Sequence, residues 1–245
     1  MGQHFEAENQ AEVPATTEQV WAAIATGPGI DSWFMGRNEV RPGETVRMAF
    51  GGYAPEHRVT AWEVGTHLAY GGDAAPDGRS IGYEFLIEGR AGGSTVLRMV
   101  TTGFLPGDDW ADEYEAMRAG GALFWATLVE YLTYFAGRTA VPITAFAPAV
   151  PDWDRARAAL HAELGLGAAP AAGDRVRLRV DGAAPLDAVV YFANSQTLGV
   201  RADDALYRFV RGYRGGVYAM HHLFTELDQS DSERAWSQWL ERVLA

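Results

Sequence analysis

Apolar or small residues alternate with polar ones from Phe5 to Val13, a period of two that predicts a strand with one face in a core and the other, Glu6, Glu8 and Glu12, in water. Pro14 ends it. Thr16 and Gln19 then have the spacing of a capping box, and Val20, Trp21 and Ile24 recur as on a helix until Gly27-Pro28-Gly29 breaks it. A second short helix is expected around Ile30, Trp33 and Phe34. From Gly36 to Gly103 the pattern reads as hairpins, with strands at Val46–Phe50, His57–Glu63, His67–Gly71, Ser80–Glu88 and Thr95–Thr102 between turn signals such as Asp77-Gly78 and Gly92-Gly93. Ile81, Tyr83, Phe85 and Ile87 share one strand face, and Leu97, Met99 and Thr101 another.

The longest helical stripe follows. Trp110, Tyr114, Met117, Gly121, Phe124, Leu128, Leu132 and Phe135 recur every three or four residues, behind an acidic start at Asp108, Asp109, Asp112 and Glu113 that suits the helix macrodipole. Gly120-Gly121 interrupts the stripe with either a bend or a site of close approach. Residues 139–150, with Pro142 and Pro148, read as a stiff linker. Beyond it come a short helix from Asp152 through Leu164, strands at Val176–Val180, Leu186–Phe192, Thr197–Arg201, Leu206–Val210 and Val217–Phe224, and a last helix. That helix opens on a capping box of Ser230 and Glu233 and carries Trp236, Trp239 and Leu240. The fold class expected is α+β: a curved antiparallel sheet gripped by a long helix over residues 1–138, then a smaller α+β lobe over 151–245, a degenerate echo of the first. A straight helix over a curved sheet leaves a cavity as its geometric by-product.

Composition changes that picture by exclusion. The net charge is −12; residues 1–138 hold 19 acidic and 9 basic side chains, a balance of −10. Such a surface repels phosphate backbones and anionic headgroups, so neither nucleic acid nor membrane insertion is expected. Every basic residue is Arg, which a GC-rich coding bias accounts for. With no Cys, disulfides and thiolate metal sites are excluded. The opening residues lack a secretory layout, and a cytoplasmic protein is expected.

Catalytic motifs are sparse. The histidines have no HExxH spacing, and His221 and His222, adjacent on a strand, point to opposite faces, so no metal is expected. Gly27-Pro28-Gly29 lacks the third glycine of a phosphate loop, and no Gly-x-Ser-x-Gly elbow occurs. No cofactor is implied. Asn9, Tyr53, His57, Tyr83, Arg98 and Thr101 are the polar residues that could enter a pocket, although Arg98 alternates away from Leu97 and Met99. His57 with Glu84 is the one conceivable acid–base pair, and strand parity turns Glu84 outward.

Two segments resemble a known family. VPATTEQVWAAIATGPGIDSWF (13–34) resembles the opening of START-like, or SRPBCC, domains, in the branch named for activators of the heat-shock protein 90 ATPase: Pro14, Trp21, Trp33 and Phe34 fill its characteristic places. TTGFLPGDDWADEYEAMRAGGALFWATLVEYL (101–132) resembles that family's last strand and long helix, so the likeness frames residues 5–137. It implies a helix-grip fold around an apolar pocket, binding lipids, polyketides or other hydrophobic molecules, with cyclisation or hydrolysis in a minority of members. The expected ligand-binding set is Trp33, Phe34, Tyr53, Tyr83, Phe85, Met99, Trp110, Tyr114, Met117 and Phe124, whose helical members serve equally as plain core. No catalytic residue is expected; His57 and Tyr53 are the only candidates should there be one. The alternatives are a cyclase or hydrolase, and an adaptor whose second lobe meets a protein partner through Trp236 and Trp239.

Overall fold

The computed structural model describes residues 2–179, 184–212 and 214–245. The chain divides into two compact units. One holds Met1–Arg118 and Leu128–Thr139; the other holds Ala119–Thr127 and Ala140–Ala245.

The first unit is built on strands β1 (Gln3–Val13), β2 (Arg37–Arg41), β3 (Thr45–Ala49), β4 (Glu56–Glu63), β5 (His67–Gly71), β6 (Ser80–Gly89) and β7 (Thr95–Leu105). They form one antiparallel sheet in the order β1-β7-β6-β5-β4-β3-β2, a meander whose last strand turns back beside the first. Alternation along β1 holds as read: Phe5, Ala7, Asn9 and Ala11 are half-buried and Val13 buried, while Glu6, Glu8, Gln10 and Glu12 are exposed. The outer face carries an ion pair, Arg98 to Glu8 at 2.8 Å, and a hydrogen bond between His67 and Glu84 at 2.8 Å. Being largely exposed, such pairs contribute about 0–1 kcal/mol each. The inner face carries the core. Leu68, Phe85 and Leu97 are fully buried there, each contributing roughly 1.5–3 kcal/mol by leaving water.

Between β1 and β2 lie α1 (Thr17–Ala25) and α2 (Gly27–Ile30). The capping box closes as predicted, Gln19 N donating to Thr16 Oγ1 and Thr16 N to Gln19 Oε1. Gly27-Pro28-Gly29 is not the break. Thr26 ends α1, its hydroxyl donating to Ala22 O, and caps α2 by accepting from Gly29 N. Proline suits that first turn, where its missing N–H is not needed. A Cβ on Gly29 would collide with the Ala22 carbonyl, so the sharp corner requires glycine. Asp31 then accepts from Asn38 N at 2.7 Å and Asn38 Nδ2 at 3.0 Å. Asn38 is the one buried residue of β2, so that strand has no apolar alternation to betray it and was absent from the pattern.

Helix α3 (Trp110–Tyr134) continues unbroken through Gly120 and Gly121. Its middle turns, Ala119–Thr127, group with the second unit. A Cβ at either glycine would meet no atom within 4 Å, so the pair marks neither a break nor a close approach. Replacing both by Ala is expected to stabilise the protein by about 1 kcal/mol per site, read as a raised midpoint in urea.

The second unit holds β8 (Val141–Ala147), α4 (Trp153–Glu163), β9 (Arg175–Leu178), β10 (Leu186–Ala193), β11 (Thr197–Ala202), β12 (Ala205–Arg211), β13 (Val217–Leu223) and α5 (Gln229–Leu244). The sheet order is β8-β13-β12-β11-β10-β9, all antiparallel. The segment read as a linker thus contains an edge strand, β8, in register with β13. Its Pro142 is tolerated because an edge strand has one side with no ladder to feed. Of the strand expected at Val176–Val180, Val180 lies outside the described residues. Helix α5 is capped two residues before the expected Ser230: Asp228 accepts from Asp231 N, and Glu233 instead accepts from Thr144 N on the edge strand and from Gln229. Trp236 and Trp239 lie in this unit's core with Leu160, Val190, Val200 and Phe209, so the face proposed for a partner is buried in its own lobe.

Candidate ligand-binding face

The inner face of the first sheet is sealed at one end and half-open at the other. Phe85, Ile87, Leu97 and Met99 are buried; Ile81, Tyr83 and Thr101, farther along the same strands on the same face, and Phe5 on the neighbouring β1 are only partly buried. Cross-strand register lines them up: Phe85 opposite Met99, Tyr83 opposite Thr101, Asn9 opposite Met99. Above the half-open end, Tyr114 of α3 approaches the Phe5 ring at 5.6 Å, and Trp110 and Met117, also half-buried, belong to the same unit. A Cβ on Gly103 would lie 2.6 Å from the Phe5 ring, so glycine there lets that ring lie flat on the sheet.

The aromatic groups form a chain. Trp33 meets Phe34 at 5.1 Å, Phe34 meets Tyr83 edge-on at 5.9 Å, and Tyr83 meets Tyr70 at 5.5 Å. His57 sits against both tyrosines, 6.0 Å from Tyr70 and 6.3 Å from Tyr83. Such tilted and edge-on pairs contribute about 0.5–1.5 kcal/mol each beyond their burial. Gly72 makes room for the imidazole: a Cβ there would come within 3.2 Å of His57 Nδ1. His57 is only 3% exposed, and its Nδ1 is buried without a hydrogen-bond partner.

Burial sets the protonation states. It pushes the His57 imidazole below its ordinary value. It pushes both phenols upward, with Tyr83 adding to the effect on Tyr70 and Tyr53 to that on Tyr83. At neutral pH the face presents neutral hydrogen-bonding groups among apolar rings.

The expected set is therefore partly redistributed. Trp33 and Phe85 are sealed in the core, Phe85 at the closed end of the same face. Tyr83, Trp110, Tyr114 and Met117 are only partly buried, and Phe34 and Met99 are buried. Tyr53, 59% exposed on the turn where it exchanges backbone hydrogen bonds with Phe50, is at most a rim residue and is not held as a catalytic group would be. Phe124 leaves the set: it lies in the second unit, 5.2 Å beneath the buried Arg208 guanidinium. The His57–Glu84 pair does not exist, because Glu84 bonds His67 on the outer face. Arg98 is likewise on the outer face with Glu8. Sequence reasoning overlooked Phe5, Tyr70 and Gly72; the first two were legible as inward positions of alternating strands.

Two hollows lie elsewhere. One of about 250 Å³, among Glu44, Thr45, Glu56, Arg58 and Asp73, is lined by charged groups and suits no apolar molecule. The other, about 10 Å³ in the second unit beside His161, Asn194, Thr197 and Phe209, has room for one water. Among the described residues, no group of three or more His, Asp or Glu side chains is placed to hold a metal ion, and no helix is long and apolar enough to cross a membrane.

No protein-family model and no curated protein matches the chain. Several solved structures resemble it. A Mesorhizobium loti protein, MLL2253, is 23% identical over 52% of this chain and 96% of its own, with a TM-score of 0.45. The Aha1 dimer from Colwellia psychrerythraea is 19% identical over 54% of this chain and 99% of its own, with a TM-score of 0.44. BexL, a di-domain ARO/CYC from the BE-7585A biosynthetic pathway, is 13% identical over 95% of this chain and 88% of its own, with a TM-score of 0.46.

Proposed function

We propose that the first unit binds a small apolar molecule on the half-open end of its inner sheet face, against Tyr83, Trp110, Tyr114 and Met117. The observation that carries this reading is the exposure gradient. The same sheet face that seals Phe85 and Leu97 leaves Phe5, Ile81 and Tyr83 only partly buried at its other end, and Trp110, Tyr114 and Met117 of α3 are partly buried too, Tyr114 against Phe5. Half-exposed apolar groups gathered on one face mark a binding surface more often than scattered ones do. Aromatic and methionine side chains adapt to ligands of varied shape.

The test uses the full chain and the neutral probe N-phenyl-1-naphthylamine, whose fluorescence rises in apolar surroundings. Saturable binding of one equivalent is expected. In Met117→Trp the larger ring occupies the space a ligand would take, so affinity should fall at least tenfold while the thermal midpoint stays put. Absence of saturable binding, or unchanged affinity in the variant, would overturn the reading.

A further inference from the structure

The sheet face carries a buried polar atom that no described group of the protein hydrogen-bonds. His57 Nδ1 is buried, unpartnered, and faces the space left by the absent side chain of Gly72. An unpaired buried polar group is costly, and among the described residues His57 Nδ1 is the one such atom on the aromatic face.

We infer that the molecule bound on this face is an uncharged hydroxyl-bearing aromatic, whose hydroxyl hydrogen-bonds His57 Nδ1 while its ring lies against Tyr83. The inference rests on the proposed binding function and specifies its ligand. Three features of the face select that chemistry. The nearest groups are rings, at 6.0 and 6.3 Å from the imidazole, which favours a flat partner. The residues flanking His57 along β4, Glu56 and Arg58, are exposed on the opposite face, so a carboxylate ligand would find no counter-ion beside the imidazole. Burial keeps that imidazole neutral, and a hydroxyl, which can donate or accept, suits Nδ1 in either neutral tautomer.

The experiment compares three two-ring probes, 2-naphthol, naphthalene and 2-naphthoate, by competition against N-phenyl-1-naphthylamine on the full-length protein and on His57→Phe. That substitution keeps a ring and removes both nitrogens. The ratio of 2-naphthol to naphthalene affinity is expected to fall about tenfold in the variant, the size of one hydrogen bond lost and one hydroxyl left unpaired. The wild-type protein should bind 2-naphthoate more weakly than 2-naphthol. Should His57→Phe not fold, Gly72→Ala reads the same ratio, since its methyl would stand where the hydroxyl does. The ¹⁵N resonance of His57 Nδ1 should also shift with 2-naphthol and stay fixed with naphthalene. An unchanged ratio, or tighter binding of 2-naphthoate, overturns the ligand assignment and leaves apolar binding standing. No binding of any probe by the wild type overturns both.

Discussion

Trp33→Ala is expected to lower the stability of the protein by about 3–5 kcal/mol, the largest single loss at any position of the first unit discussed above. Part of the loss is cavity. Trp33 is 1% exposed, and its ring touches Phe34 at 5.1 Å. The rest is an unpaired carbonyl. A helix leaves its last four C=O groups without intrahelical partners, and in α1 these include Ala22 and Ala23. Thr26 Oγ1 satisfies Ala22 O from within the chain's own turn, whereas Ala23 O accepts from Trp33 Nε1 at 3.0 Å, ten residues on. The indole is thus a tertiary cap for α1 as well as core filling. Trp33→Phe separates the two contributions. It retains most of the volume and loses the donor, so it should cost about 1–3 kcal/mol. Urea unfolding of both variants against wild type measures this; equal losses for Ala and Phe would assign the whole effect to the hydrogen bond, and a negligible loss for Ala would sink the argument. Because Phe34 and Tyr83 form the next links of the chain of rings, probe affinity should fall in Trp33→Ala even where the protein remains folded.

The elements that strict periodicity encodes were legible: β1 from its two-residue alternation, α3 from its stripe, and the hairpins from β3 to β7 to within a few residues of their ends. What escaped depended on partners distant in sequence. Strand β2 buries only Asn38, and it does so because Asp31 takes both its backbone and side-chain N–H groups. Strand β8 was concealed by Pro142, which reads as a breaker until its edge position is known. The stripe on α3 correctly marked apolar positions, but a period cannot say which partner each position meets. Tyr114 meets Phe5, while Phe124, ten residues on, lies under Arg208. Strand parity separated His57 from Glu84, whose partner His67 lies diagonally across the β5–β6 pair, Ala69 being the residue opposite Glu84. The orphaned Nδ1 of His57 had no sequence signal, since it follows from Gly72 having no side chain beside it.

Acid is expected to destabilise the second unit through His221, with the loss setting in as the pH falls below about 6.5. His221 is fully buried on β13; its ring lies 4.2 Å from Trp236 and 5.2 Å from both Tyr207 and Phe209. Nδ1 accepts from Arg208 N at 3.1 Å, which fixes the neutral tautomer with its proton on Nε2. Protonating Nδ1 would set two N–H groups against each other and bury a cation in an aromatic cage. Burial first, and the Arg208 charge second, therefore hold this imidazole well below its ordinary value. The buried Arg208 guanidinium is itself lowered to about 10, and burial raises the Tyr207 phenol to about 12, so both keep their neutral-pH states as acid is added. The sign follows from proton counting. Above about pH 6.5 neither the folded nor the unfolded chain protonates this group, and stability is independent of it. Below that, the unfolded chain takes up a proton that the folded one refuses, and stability falls by up to about 1.4 kcal/mol per pH unit. His57 and His161, also lowered by burial, act in the same direction, while Asp31, raised by burial, opposes them. The difference between wild type and His221→Gln isolates the one group. The variant's stability should fall less steeply between pH 6.5 and 4.5, the gap closing by as much as about 2.7 kcal/mol over that range. Parallel slopes in urea titrations across it would show that the cage admits the proton after all.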